Sequence, residues 1–213
     1  MKAEDVAKFL EDNPAFFEQY ADLLAQIYVP HPHGGRAIPL SERQILSLRD
    51  KTRAVESKLA ELIQFGEEND AIGEKVHRLA LALLAAGDLS AVVTALRYHL
   101  REDFAVPHVA LRLWRGSNVL EEDQRVSEEL RSYAARLQHP YCGASNGSEA
   151  IAWFGEAAPH VRSCALMPLR ERGEPFGLLA LGAEDAERFY PEMGTLYLER
   201  IGDMASAALA RFL

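Results

Sequence analysis

The sequence predicts an α+β protein: a helical N-terminal segment with a long coiled-coil helix, then an antiparallel sheet flanked by helices. Three observations predict it. Ile45, Leu48, Thr52, Val55, Leu59 and Leu62 are spaced alternately by three and four, the heptad seam of a paired helix. The run "PHVALRLW" alternates, with Val109, Leu111 and Leu113 on one side and His108, Ala110, Arg112 and Trp114 on the other, which reads as a strand. Ser163–Gly182, "SCALMPLRERGEPFGLLALG", sets two apolar runs around a charged turn. A hairpin pairs its strands antiparallel, which excludes a doubly wound sheet.

Taken in order, residues 1–28 read as two or three short helices. Val6, Phe9 and Leu10 form one stripe, Asn13-Pro14 breaks it, and Phe16, Phe17, Leu23, Leu24 and Ile27 form another. Stripes this small need a larger surface to cover them. "VPHPHGGRAIP" is a loop by its Pro and Gly content. Ser41 is the expected N-cap of the long helix. Its seam, continued in register, meets Gly66, Asn69 and Gly73 before Val76, Leu79, Ala80 and Leu83 restore an apolar stripe. The helix is therefore expected to kink or change partner there. The boundary is placed between a segment 1–70, carrying the dimerisation helix, and a domain 71–213.

Gly87-Asp88-Leu89-Ser90 ends one helix and caps the next, whose buried face is Leu89, Val92, Val93, Leu96 and Leu100. The strand at 107–114 follows, then a second strand. Residues 119–137 read as a charged helix with Val126, Leu130, Tyr133, Ala134 and Leu137 on one face. "QHPYCGASNGSEA" reads as a long loop, Ile151–Phe154 as a short strand, then the hairpin, then a closing helix over residues 191–213. Both hairpin strands are apolar at nearly every position, so both faces of the sheet need cover. Terminal helices cover one. The charged helix and the long loop cover the other, and so irregular a lid leaves room for a cavity.

Composition narrows the function classes. Net charge is −9 over 213 residues. Residues 1–70 hold 8 Lys+Arg against 13 Asp+Glu, and the remainder 15 against 19. Neither part is basic, so direct nucleic-acid binding and an anionic membrane surface are not expected. The acidic start "MKAEDVAKFLEDNPAFF" lacks the apolar core of a signal peptide, and no apolar run approaches the ~20 residues of a membrane span. Two cysteines make no disulfide framework, and a cytoplasmic setting is expected.

The residues "SCALMPLRERGEPFGLLALG" followed by "RFYPEMGTLYLERIGDMASAALARFL" resemble the C-terminal half of a GAF domain. The resemblance covers about residues 72–213. It implies an antiparallel sheet with helices on one face and a pocket on the other, for a cyclic nucleotide, haem, bilin or other small molecule, or for a partner alone. Over its whole length the chain is similar to a bacterial family numbered 484 among domains of unknown function. "NPAFF", "PHPHGG", "SLRDKTRAVESKLAELIQFGEEN", Cys142-Gly143 and "LGAEDAERFYPEMGT" carry that likeness. No cyclic-nucleotide "N-K-x-x-x-D" set matches, and no chromophore-attachment motif surrounds Cys142.

Candidate chemistry is sparse. His31-Pro32-His33 and His139 with Cys142 are each half a metal site at most, and both read as turns. Cys142, in the expected loop, would be reactive only with a cation nearby to lower its pKa. Some GAF-fold proteins reduce free methionine sulfoxide, with more cysteines than the two here. Cys164 reads as a small buried residue. Arg112 and Trp114 share a strand face, where they either hold an anion and stack a ring or lie on an exposed edge. The expected pocket rim is Arg112, Trp114, Tyr141, Cys142, Gly143 and Trp153. No P-loop, dinucleotide fingerprint or nucleophile elbow occurs, no motif names a cofactor, and no metal site is assigned. The expected function is a non-enzymatic GAF-like small-molecule sensor or adaptor acting as a homodimer through an unknown protein partner. The alternatives are a thiol enzyme using Cys142 and a structural dimer with a filled pocket. With the last helix closing at Leu213, a signal is expected to leave through a partner or through the dimer.

Overall fold

The structure is a computed structural model that describes residues 2–29, 38–115, 126–145 and 147–213. Two compact units divide at Glu67/Glu68.

In the first unit, helices α1 (Ala3–Asp12), α2 (Ala15–Gln19) and α3 (Ala21–Gln26) break where Asn13, the residue before Pro14, and Tyr20 leave the helical backbone. Phe16 stacks on Tyr20 at 4.9 Å and meets Phe9 edge-on at 6.4 Å. These helices bury no described residue: Phe9 and Tyr20 stay about half exposed. Strands β1 (Tyr28–Val29) and β2 (Ile38–Pro39) pair antiparallel. The 46-residue helix α4 (Leu40–Ala85) then begins one residue ahead of Ser41, so the expected cap falls inside it. Along its first part Ile45, Leu48, Val55, Leu59 and Leu62 are all more than half exposed in the single chain.

Helix α4 runs on through Gly66 and Gly73 as helix. A Cβ at either would meet nothing within 4 Å, so neither glycine answers a close approach. What changes is the cover, because Leu79 and Leu83 are buried in the second unit's core.

That unit is built on four antiparallel strands in the order β3 (His108–Leu113), β6 (Glu174–Ala183), β5 (Ser163–Glu171), β4 (Tyr141–Ala144). The hairpin closes through Arg172 and Gly173 at φ 51° and 89°, the positive-φ pair of a tight two-residue turn. A register shift between Leu169 and Arg170 marks a bulge at its turn end.

One sheet face, with Leu111, Met167, Leu179 and Leu181, packs against residues of α4, α5 (Leu89–Glu102) and α8 (Leu196–Ala210). The other, with Ala110, Cys164, Leu166, Leu178 and Ala180, lies under α6 (Glu128–Arg136) and α7 (Glu149–Ala152). The two-faced apolarity of the hairpin thus has helices on both sides.

The local differences from the sequence reading have physical causes. Residues 141–144 are an edge strand, not loop, because their backbone pairs with 163–166. The short strand expected at Ile151–Phe154 is helix α7 and a turn, started by the Ser148 Oγ that accepts from the Ala150 amide and ended before Gly155 at φ 60°. Helix α6 starts at Glu128, capped by Ser127. The second strand expected after Trp114 falls on residues 116–125, outside the described residues. The closing helix starts at Leu196, not 191.

Candidate functional site

Helix α6 lies over the central strands β6 and β5, tied at both ends. At its start, Ser127 Oγ accepts from the Leu130 amide at 3.1 Å. The carboxylate of Glu149, first residue of α7, accepts from the Ser127 amide at 3.2 Å and from the Ser127 hydroxyl. At its end, the Arg170 guanidinium reaches across from β5. Its Nη2 donates to the carbonyls of Ala134 (2.8 Å), Ala135 (3.1 Å) and Leu137 (2.6 Å), and its Nη1 to Gly173 (2.9 Å). A cation satisfying the orphan carbonyls of a helix C-terminus is favourable both as hydrogen bonding and against the helix dipole.

Between α6 and strands β4 and β5 is a cleft of about 410 Å³, within the range of small-molecule sites. Cys164 and Leu166 of β5 form its floor, and Leu130, Tyr133 and Tyr141 line it. Glu129, Arg136, Ser148 and Glu149 bring polar groups to it. Tyr141 owes its pose to Gly143, two residues on along β4. A Cβ at Gly143 would sit 2.7 Å from the Tyr141 hydroxyl, so the ring lies across the glycine, and the hydroxyl donates to the Ala144 carbonyl at 3.2 Å.

The titratable groups in the cleft interior are neutral. Burial raises the Tyr133 and Tyr141 phenols above their ordinary range, with neighbouring Tyr141 and the cysteines adding to it. Burial pushes the Cys164 thiol up to about 11, Cys142 adding a smaller push. The cleft therefore offers hydroxyl and thiol groups inside and carboxylates and one guanidinium around them.

Of the six rim residues expected from the sequence, Tyr141 lines the cleft and Gly143 shapes it from beneath that ring. Cys142 belongs on the opposite, helix-covered face, 7% exposed, with its thiol pushed up to about 11 by burial. It is neither a loop thiol nor a thiolate, because alternation along β4 turns it away from Tyr141. Cys142 pairs with Ala165, and Gly143 with Cys164. The two cysteines thus sit on opposite faces of the sheet, where their Cβ vectors diverge and a disulfide is out of reach.

Arg112, Trp114 and Trp153 do not line the cleft; they fill the other half of the same face. Arg112 is half-buried, its guanidinium 5.3 Å over the Trp153 ring, and Arg131 of α6 stands 5.9 Å over Trp114. Trp114 Nε1 donates to the Pro175 carbonyl at 2.9 Å. Phe154 occupies the space above Gly182. Two cation–π pairs and a ring over glycine close the region expected to be open.

Sequence reasoning missed Glu149, Arg170, Cys164 and Tyr133 as parts of one site. Ser148-Glu149 had a cap signature, and Tyr133 lay on the apolar face of its helix. Arg170 was hidden among turn charges, and Cys164 in a strand with no polar alternate to set its phase. His31 and His33 fall outside the described residues, and His139 is held at 3.0 Å by Glu199. Among the described residues no group of three or more His, Cys, Asp or Glu could hold a metal, and no helix is long and apolar enough to cross a membrane.

The fold has solved relatives. The GAF domain of nlh2 from A. aeolicus, in an inactive state, is similar over 67% of this chain and 98% of that one, at 13% identity and a TM-score of 0.51. The GAF domain of a phosphoenolpyruvate-protein phosphotransferase from Coxiella burnetii is similar over 66% and 93%, at 13% identity and the same score. At such identities the likeness is one of fold. No curated protein matches by sequence. The family model described as "Protein of unknown function, DUF484" matches residues 1–213, so the chain belongs to that family, with a GAF-like domain as its α+β unit.

Proposed function

We propose that this protein is a non-enzymatic small-molecule sensor or adaptor that works as a homodimer and passes its state to a protein partner. The observation that carries the reading is the cleft of about 410 Å³ beneath α6, on the sheet face away from α5 and α8. Both sides of that sheet are covered, so the cleft is bounded by packed elements and not by bulk solvent alone. Its thiol is a poor nucleophile, since burial holds it protonated at neutral pH. The other thiol is on the far face. Both facts favour binding over chemistry.

The dimer rests on the seam. Five large apolar side chains, Ile45, Leu48, Val55, Leu59 and Leu62, lie more than half exposed at heptad spacing, and a single chain leaves them in water. Pairing two copies of α4 through this stripe would remove them from it, at roughly 25 cal/mol for each Å² covered.

Native mass spectrometry of freshly purified protein tests both parts. A dimer that retains a small molecule, released on denaturation, is the expected result. A monomer at micromolar concentration refutes the dimer. A dimer with nothing bound, and no stabilisation from a broad metabolite panel, refutes the sensor and leaves a scaffold with an idle cleft.

A further inference from the structure

We infer that the cleft selects a small cationic amphiphile: an amine or similar cation carried on an apolar or aromatic body. This deepens the sensor reading and rests on the cleft being a ligand site. Glu149, the first residue of α7, lines the cleft. At the cleft, the Glu149 carboxylate is solvent-accessible and accepts two hydrogen bonds, both from neutral donors of Ser127. Among the described residues no ion pair compensates it. A carboxylate has about four acceptor positions, so two donors leave it capacity for more. A carboxylate with no cation beside it makes this end of the cleft negative, which favours a cationic ligand.

The rest of the cleft agrees with that partner. Glu129 adds a second carboxylate from the same end of α6. The body of the ligand would meet Leu130, Leu166, Tyr133 and Tyr141, an apolar floor with two phenol rings. Aromatic faces also attract cations. Among the described residues that line the cleft the cation is Arg136, which is exposed and seven residues along α6 from Glu129. At 1.5 Å per residue that is roughly 10 Å away, about a Debye length in ordinary buffers. It therefore offsets the Glu149 end weakly, and leaves the other end of the cleft able to take a hydroxyl or an acidic group.

A matched probe series tests the inference. 2-Phenylethylamine, 2-phenylethanol and 3-phenylpropionate share a ring and a two-carbon arm and differ in charge. Their affinities would be measured by ligand-observed NMR on the full-length protein, with amide shifts assigning the site. The amine should bind about tenfold or more tighter than the carboxylate, the scale of one partly desolvated ion pair. In Glu149→Gln, which keeps an acceptor for Ser127, that preference should fall to about twofold or less, with the neutral alcohol measured in the same variant as the reference that separates loss of charge from a change in the cleft. Glu129→Gln should reduce the preference partially, and serves if Glu149→Gln melts early. Equal binding of amine and alcohol, or tighter binding of the carboxylate, overturns the cation inference and leaves the ligand site standing. No shift near Tyr133, Tyr141 or Cys164 with any of the three overturns both.

Discussion

Replacing Arg170 by alanine should loosen helix α6 and with it the wall of the cleft. The side chain makes four hydrogen bonds of 2.6 to 3.1 Å, three of them from Nη2 to carbonyls at the end of α6. One nitrogen carries two protons, so those three contacts amount to about two full bonds at any moment. Charged donors contribute about 1.5–3 kcal/mol each. Partial exposure of the site lowers the sum, and water replaces some of what is lost at Ala135 and Gly173. The Ala134 and Leu137 carbonyls, in part-buried bonds, are the ones left wanting. The expected loss is about 2–4 kcal/mol, which for a domain of this size is a fall in Tm of roughly 5–12 °C. Arg170→Lys should recover less than half, because an ammonium cannot span three carbonyls as a planar fork does. Thermal melting gives the total, and amide hydrogen exchange shows where the change falls. Faster exchange concentrated in 128–137 is expected. An alanine variant that melts within 1 °C of wild type, or one in which exchange in α6 is unchanged, refutes the reasoning.

Other perturbations address other parts. Leu48→Glu with Leu59→Glu should give monomers by light scattering at micromolar concentration, since paired seams do not tolerate facing carboxylates; a variant that stays dimeric places the interface elsewhere. Gly143→Ala drives a methyl to within 2.7 Å of the Tyr141 hydroxyl, so the ring must swing, at about 1–3 kcal/mol, and a crystal structure should show Tyr141 displaced. Asp103 is held below its ordinary pKa by hydrogen bonds from Arg78 at 2.9 Å and then His99 at 2.6 Å. A depressed carboxylate contributes stability that is complete above its unfolded pKa of about 4. That contribution is lost as pH falls through the lower folded value. Urea melts from pH 7 to 3 should show Asp103→Asn converging on wild type at the acid end; curves that stay parallel would mean the cluster adds nothing pH-dependent.

The fold was legible where side chains alternate and illegible where they do not. "PHVALRLW" has polar members that set its phase, so the two faces of β3 could be read directly, and Arg112 was correctly placed on the face of Ala110 and Trp114. Ser163–Leu169 has almost none. Cys164 and Ala165 look equivalent in sequence, yet one floors the cleft and the other packs under the helices. Cys142 was misplaced for a related reason. Its four-residue strand is too short to show a period, and Gly143 beside it signalled a turn. Here the glycine instead makes room for a tyrosine ring, a tertiary demand that local sequence does not express. Arg170 sat among the charges of a turn, where solvation is the ordinary fate. Only the return of α6 over the sheet gives it three carbonyls to hold.

Those same placements explain why the open space lies at the β4 edge and not where the arginine and tryptophans are. Over β3 and β6 the residues beneath are Leu178 and the small Ala110, Ala180 and Gly182, the layer above supplies Trp153 and Phe154, and the Arg112 guanidinium rises from β3 over the Trp153 ring. Small residues below bulky ones interdigitate and leave no room. Over β4 and β5 the floor includes Gly143 and Cys164, equally small, but the layer above is α6, which sends down Leu130, Tyr133 and Ala134. Tyr141 lies along its strand and does not rise to fill the gap. The helix cannot settle onto that floor while Glu149 holds its first turn and Arg170 its last. Its height above the sheet is thus set by two polar anchors at its ends together with the apolar contacts of Leu130 and Ala134. A cleft kept open in this way exists before any ligand arrives, and a ligand would meet most of its ordering cost already met by the fold. It also follows that a group competing for the Glu149 carboxylate would draw on the anchor that seats the start of α6, so binding there bears on the position of the helix as well as on the occupancy of the cleft.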